Sequence, residues 1–138
     1  MRQVDIYIDG ASKGNPGPSG IGVIICQHGK VIRNISRYIG TATNNVAEYT
    51  ALIYALQESL ILGAHAVTVN SDSELLCRQV NGIYKIKNPG IKGLYEQVAH
   101  LKSGFKELTI RHIPREENLG ADKLATQAVK EALKKKAL

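Results

Sequence analysis

Four carboxylates, Asp9, Glu48, Asp72 and Asp122, stand where acids are costly or conspicuous. Glu48 shares a helical stripe with Leu52 and Ala55, at i+4 and i+7, and so sits on the apolar side of its helix. Asp122 repeats the anomaly with Ala125 and Val129, at i+3 and i+7. Burying a lone carboxylate costs several kcal/mol unless a cation compensates it. Asp9 ends the alternation Val4, Ile6, Ile8 of a first strand, and Asp72 lies just past the strand AVTVNSD. If those strands are parallel neighbours, both acids emerge at the carboxyl edge of the sheet, where open α/β sheets place ligands. Each acid alone has an ordinary reading: Asp9-Gly10 as a turn, Asp72 as a helix cap, Asp122 as a first-turn acid matching the helix dipole. Four such coincidences in one chain are harder to accept.

No Cys or His cluster offers a zinc site, so oxygen donors point to Mg²⁺ or Mn²⁺. Carboxylates holding two such ions, roughly 3.5–4 Å apart, can activate water and stabilise the leaving oxygen in phosphodiester hydrolysis. That chemistry uses no covalent nucleophile, and the sequence has neither a G-x-S-x-G elbow nor a Cys–His pairing.

The elements that must position these acids follow from periodicity. A first strand (VDIYID) precedes a turn-rich stretch, Gly10 to Gly20. GIGVIICQ and KVIRNISRYI, separated by His28-Gly29, read as a hairpin. A helix spans about Val46 to Leu62 and stops at Gly63, with Thr43 or Asn44 to cap it, Asn44 being preferred. After AVTVNSD come a short helix (SELLCRQVNG), a basic connection (YKIKNPGIKG), a helix from about Leu94 to Lys102, the strand ELTIRHI, and a last helix from about Asn118 to the C-terminus. Hairpins at the start and helical crossovers later imply a mixed sheet covered by helices.

Length and composition agree. The 138 residues, 43% hydrophobic, suit one domain spanning 1–138 with a packed core. The net charge of +6 favours polyanions. Cys26 and Cys77 match no ligand spacing or disulfide framework, and each lies in an apolar stretch. Without a leader-like N-terminus or an apolar run of ~18 residues, the expected location is soluble and reducing, the cytoplasm, with no membrane association. The lysine-rich end KEALKKKAL reads as a solvated helix terminus.

IDGASKGNPGPSGIG, TNNVAEYTAL, NSDSELL and RHIPREENLGADKLA resemble, in order, the four signature blocks of type 1 ribonuclease H, and the similarity spans essentially the whole chain. It is most similar to compact archaeal-type and bacterial members without the basic protrusion; YKIKNPGIKG stands in its place. The resemblance implies an α/β ribonuclease H-like fold with a five-stranded mixed sheet of order 3-2-1-4-5 and flanking helices. It implies that Asp9, Glu48, Asp72 and Asp122 are the metal set. The activity it implies is endonucleolytic hydrolysis of the RNA strand of an RNA–DNA hybrid, leaving 5′-phosphate and 3′-hydroxyl ends. Double-stranded RNA is a further candidate partner, and a chain with no obvious spare apolar surface suits a monomer.

Substrate contacts carried over by the resemblance are Gly10, Lys13, Asn15, Asn45 and position 74. Asn15 belongs to the loop beside the hybrid backbone, or makes a plain Asn-Pro-Gly turn. Asn45 matches a position that reads the minor groove, where an amide suits the 2′-hydroxyl. Glu74 departs from the glutamine of many relatives; an ionised glutamate only accepts hydrogen bonds and repels phosphate. His112 falls where bacterial members carry a mobile histidine, but Leu108, Ile110 and His112 alternate along a strand, which suits a strand-end residue equally. Arg115 matches the arginine of archaeal-type members and is favoured as the catalytic assistant. Lys13, Lys85, Lys87 and Arg115 are candidates to neutralise phosphates. The rival readings are another two-metal nuclease of this fold, an exonuclease or a junction resolvase, and a catalytically lapsed binding module for hybrid or double-stranded RNA. A P-loop is excluded because the glycine-rich stretch lacks its G-K-[ST] ending.

Overall fold

The structure, a computed structural model, describes residues 2–83 and 85–136. Met1, Tyr84 of the basic connection, and the final two residues of the lysine-rich end lie outside the described residues. Five strands, β1 (Gln3–Ser12), β2 (Gly17–Gln27), β3 (Lys30–Ala42), β4 (Ala66–Ser71) and β5 (Glu107–His112), form one sheet. Its order is β3-β2-β1-β4-β5, as the resemblance implies. The hairpin pairs β1–β2 and β2–β3 are antiparallel, and the crossover pairs β1–β4 and β4–β5 are parallel. His28 and Gly29 close the β2–β3 hairpin with φ of 52° and 75°, the positive values that a two-residue hairpin turn needs.

Four helices complete the fold: α1 (Asn44–Ile61), α2 (Glu74–Val80), α3 (Pro89–Lys102) and α4 (Leu119–Lys136). Among the described residues, none is long and apolar enough to cross a membrane. The core lies between the sheet and α1. Ile6, Ile8, Ile21, Val23, Ile25 and Val69 are fully buried, with Tyr49, Leu52, Ala55 and Leu56 of α1 fully buried beside them. α4 crosses β2, β1 and β3, and there β2 presents glycines rather than side chains. Cys77 is buried, Cys26 half-buried, and both are free. Burial pushes the Cys77 thiol up to about 11, an inert thiol rather than a ligand.

Three boundaries differ from the expectations above. β1 does not end at Asp9 but runs to Ser12, because β2 supplies partners for the turn-rich stretch: Asp9 pairs with Gly22, Gly10 with Ile21, and Ser12 with Ser19. α3 begins at Pro89, not near Leu94. The Asn88 side chain caps it by accepting from the Gly90 N–H at 2.8 Å, and proline is tolerated in a first turn, where no N–H is required. The cap of α1 is Thr43, whose Oγ1 accepts from the Val46 N–H at 3.2 Å. Asn44 is already helical, and its N–H is taken by Asn15 Oδ1 at 3.0 Å.

Candidate active site

Parallel pairing between β1 and β4 stops at Ile8 opposite Ser71. Asp9 and Asp72 are the next residues on each chain, so both carboxylates stand at the carboxyl edge of β4 although β1 continues. Asp72 does not cap α2; Ser73 does, accepting from the Leu76 N–H at 3.2 Å. The Asp72 carboxylate instead accepts from Asn118 Nδ2 at 3.2 Å, while the same amide donates to the Ile8 carbonyl at 2.8 Å. Asn118 thereby ties the segment before α4 to β1 and orients one acid of the site.

Two glycines explain how helical acids reach Asp9. A Cβ on Gly10 would lie 2.5 Å from the Ala47 carbonyl carbon and 2.6 Å from the Glu48 nitrogen, so its absence lets the start of α1 come down on β1. A Cβ on Gly22, the partner of Asp9 across the ladder, would collide with the Ala121 carbonyl oxygen and lie 2.8 Å from the Ala125 nitrogen. That absence lets the first turn of α4, with Asp122, lie against the sheet.

Asp9, Glu48 and Asp72 bring carboxylate oxygens within 4.8 Å of one another. Asp122 is half-buried and close enough to Asp9 to raise its pKa. All four line one cleft of about 460 Å³ together with Gly10 and Arg115. Burial first, then the Asp122 carboxylate, to which only a protonated Asp9 can donate, and the charge of Asp72 push the Asp9 carboxyl up to about 7. Glu48 is raised well above the ordinary range by burial first and Asp9 second, opposed by a hydrogen bond from the Gly10 backbone. Glu48 Oε2 is buried without a hydrogen-bond partner. An orphaned acceptor among crowded, hard oxygen donors fits a divalent cation such as Mg²⁺ or Mn²⁺.

The other expected residues divide among different places. Arg115, in a single 3-10 turn (Arg115–Glu117), lines the carboxylate cleft. His112 is exposed at the end of β5 and is not among the residues lining that cleft. Asn15, Asn45, Lys85 and Lys87 gather around a neighbouring cleft, also about 460 Å³, whose wall includes Gln79 of α2. There Asn45 Oδ1 is buried without a partner, whereas Gln79 is held by the Tyr49 hydroxyl at 3.0 Å. Glu74 lines neither cleft; it is exposed and paired with Arg78 at 2.8 Å. Lys13 lies in a third groove, beside α4.

A five-stranded mixed sheet of this order with a carboxylate cluster at its edge defines the ribonuclease H-like class of α/β proteins. A family model described as "Reverse transcriptase-like" matches residues 7–128. The bifunctional protein Rv2228c of Mycobacterium tuberculosis is 41% identical over 129 residues, 92% of this chain and 35% of that protein. This chain thus spans about a third of the mycobacterial relative's length. RNase H1 of the halophilic archaeon Halobacterium salinarum is 36% identical with a TM-score of 0.91, over 94% of this chain and 98% of that one. LC11-RNase H1, solved in complex with an RNA/DNA hybrid, is 45% identical with a TM-score of 0.90, over 94% and 99%. The chain belongs to the type 1 ribonuclease H family.

Sequence reasoning passed over Asn118 and Gly22. Asn118 looked like an ordinary start to the last helix, yet it is 1% exposed, which no periodicity reveals. Glycines at 20 and 22, on one face of a strand, were the available sign of close backbone approach. Replacing Asn118 by Ala is expected to lower the rate of the reaction proposed below by roughly 10–100-fold, as loss of a group that orients a metal ligand typically does. The same change strands the Ile8 carbonyl and costs about 1–3 kcal/mol of stability. A rate profile and a denaturant melt of the one variant check both; an unchanged rate would deny Asn118 its part in orienting Asp72.

Proposed function

We propose that the protein is an endonuclease that hydrolyses the RNA strand of RNA–DNA hybrids. Two divalent ions, Mg²⁺ or Mn²⁺, are held by Asp9, Glu48, Asp72 and Asp122, and the products carry 5′-phosphate and 3′-hydroxyl ends. The observation that carries this reading is the convergence of three carboxylates within 4.8 Å of one another, with an orphaned, buried Glu48 oxygen among them. Such ions, when bound, supply an activated water and stabilise the developing charge on the leaving oxygen. The carboxylates fix the site's geometry on rigid strands and helices, and the burial that raises Asp9 and Glu48 is a penalty that a bound cation would offset.

Arg115 is assigned to the scissile region, where an always-charged guanidinium neutralises phosphate. His112 has no such position. Asn45, with a buried and unpaired acceptor, suits a 2′-hydroxyl donor, and Lys85 and Lys87 on the same cleft suit backbone phosphates. Because Arg78 holds Glu74 outside that cleft, its charge is partly neutralised and it does not oppose the hybrid directly. The solved complex of LC11-RNase H1 with an RNA/DNA hybrid supports the substrate. The working form is a monomer acting in the cytoplasm.

The test is incubation with end-labelled RNA–DNA hybrid, with and without Mg²⁺ or Mn²⁺. Internal cuts confined to the RNA strand and dependent on the ion are the expected result. A ladder growing from one end would assign an exonuclease of the same fold. Binding without cleavage under either ion would leave only a hybrid-binding module.

A further inference from the structure

Next to the carboxylate cleft runs a groove of about 420 Å³ between the end of β1 and α4. Its α4 wall is Thr126, Val129, Lys130 and Leu133, and Lys13 stands across from them. Those four helical positions, together with Asp122, fall at i, i+4, i+7, i+8 and i+11, which is one stripe. The face of α4 that presents Asp122 to the active site therefore continues as the wall of the groove. Ala11, Ser12 and Thr126 line both the groove and the carboxylate cleft, so the two are continuous.

The chemistry of the groove differs from that of the cleft. Its floor is apolar, with Val129 only 5% exposed, and its rims are cationic. Lys13 and Lys130 are both exposed, and neither pairs with a carboxylate; the ion pairs among the described residues are Arg33–Glu58 and Glu74–Arg78. An apolar floor between unpaired cations, opening directly from a phosphodiesterase site, matches a nucleotide whose phosphate meets lysine and whose sugar or base covers aliphatic carbon. Lys130 lies eight residues beyond Asp122, about 12 Å along the helix, which is within a few nucleotides of the cut.

We propose that this groove holds the RNA strand beyond the scissile phosphate, with Lys13 and Lys130 neutralising its phosphates and Val129 and Leu133 covering a ribose or base. The occupant is the RNA strand because the strand being cut is the one lying across the carboxylates, and the groove extends from them. The assignment rests on the ribonuclease H reading above and adds a contact that sets how the strand is gripped on one side of the cut.

The test compares wild type, Lys130→Ala and Lys130→Glu on a long RNA–DNA hybrid and on hybrids whose RNA is trimmed stepwise from either end. Lys102→Glu, the same charge change on α3, serves as control. For Lys130→Glu, KM on the long hybrid is expected to rise about tenfold, and the slope of log affinity against log salt to fall by about 1. The penalty should vanish when the RNA is trimmed close to the cut from one end, and persist when it is trimmed from the other. Wild-type KM and slope in Lys130→Glu, or a penalty indifferent to which end is trimmed or matched by Lys102→Glu, would overturn the proposal. Wild type that cuts hybrid while Lys130 has no effect removes this groove alone. Wild type that cuts no hybrid removes the ribonuclease H reading, and the groove with it.

Discussion

Replacing Asp9 by Asn is expected to abolish ion-dependent cleavage of the hybrid and, at the same time, to make the metal-free protein more stable. The loss of rate follows from removing a charged oxygen donor at the centre of the cluster, worth several kcal/mol of transition-state stabilisation, or at least about 10³-fold. The gain in stability follows from crowding. Asp9 sits within 4.8 Å of Glu48 and Asp72, is 6% exposed, and titrates at about 7 instead of 3.8, chiefly because it is buried. A carboxyl raised in the folded state holds its proton more tightly there than in the unfolded chain. Stability is therefore fully present below about pH 4 and declines as pH rises through the window up to about 7. A rise from 3.8 to about 7 corresponds to on the order of 4 kcal/mol. Glu48, raised in the same direction, adds to the decline.

Asn carries no charge to bury, so in chelator the variant should melt several degrees above wild type at pH 8. The difference should close toward pH 4. Adding Mg²⁺ should stabilise wild type more than the variant, because binding to the folded state alone raises its stability. Equal melting of the two proteins at pH 8 in chelator would show that the acids are not crowded as described. Activity within tenfold of wild type would remove Asp9 from the metal set.

Gly22→Val is expected to be the most damaging substitution outside the carboxylates. Its side chain would enter the space occupied by the Ala121 carbonyl and the Ala125 nitrogen, both backbone, so no rotamer change can relieve it. Either α4 lifts from β2 or the strand bends, and a cost of about 3 kcal/mol or more follows. Lifting α4 also carries Asp122 away from Asp9, so the rate should fall even at temperatures where the variant stays folded. Gly93→Ala is the control: it lies in α3, meets nothing within 4 Å, and should be neutral or stabilising by up to about 1 kcal/mol. Thermal melts and single-turnover rates of the two variants check the pair. A Gly22→Val protein that melts and cuts like wild type would mean that β2 does not set the position of α4.

These two substitutions mark the division between what could be read along the chain and what could not. Residue type and spacing alone singled out two acids on the apolar faces of their helices, Glu48 and Asp122, and two on or just past alternating strands, Asp9 and Asp72, because periodicity of two or 3.6 is a local property. The order of strands and helices, the His28-Gly29 hairpin and the end of α1 at Gly63 were legible for the same reason. Where a local rule had two candidates, or a partner lay far along the chain, only the tertiary structure decided. Thr43 rather than Asn44 caps α1 because Thr43 is extended and Asn44 already helical, and the free Asn44 N–H finds its partner in Asn15, from a loop 29 residues earlier. β1 outruns Asp9 because β2 is there to pair with it. Arg115 lines the cleft and His112 does not, a difference set by the 3-10 turn after Pro114. Asp72 is oriented by Asn118, 46 residues away, and Asp122 reaches Asp9 only because residue 22 has no side chain. Each of these is a close approach between distant segments, and close approach depends on volumes and hydrogen-bond partners that meet only once the sheet and its helices are packed.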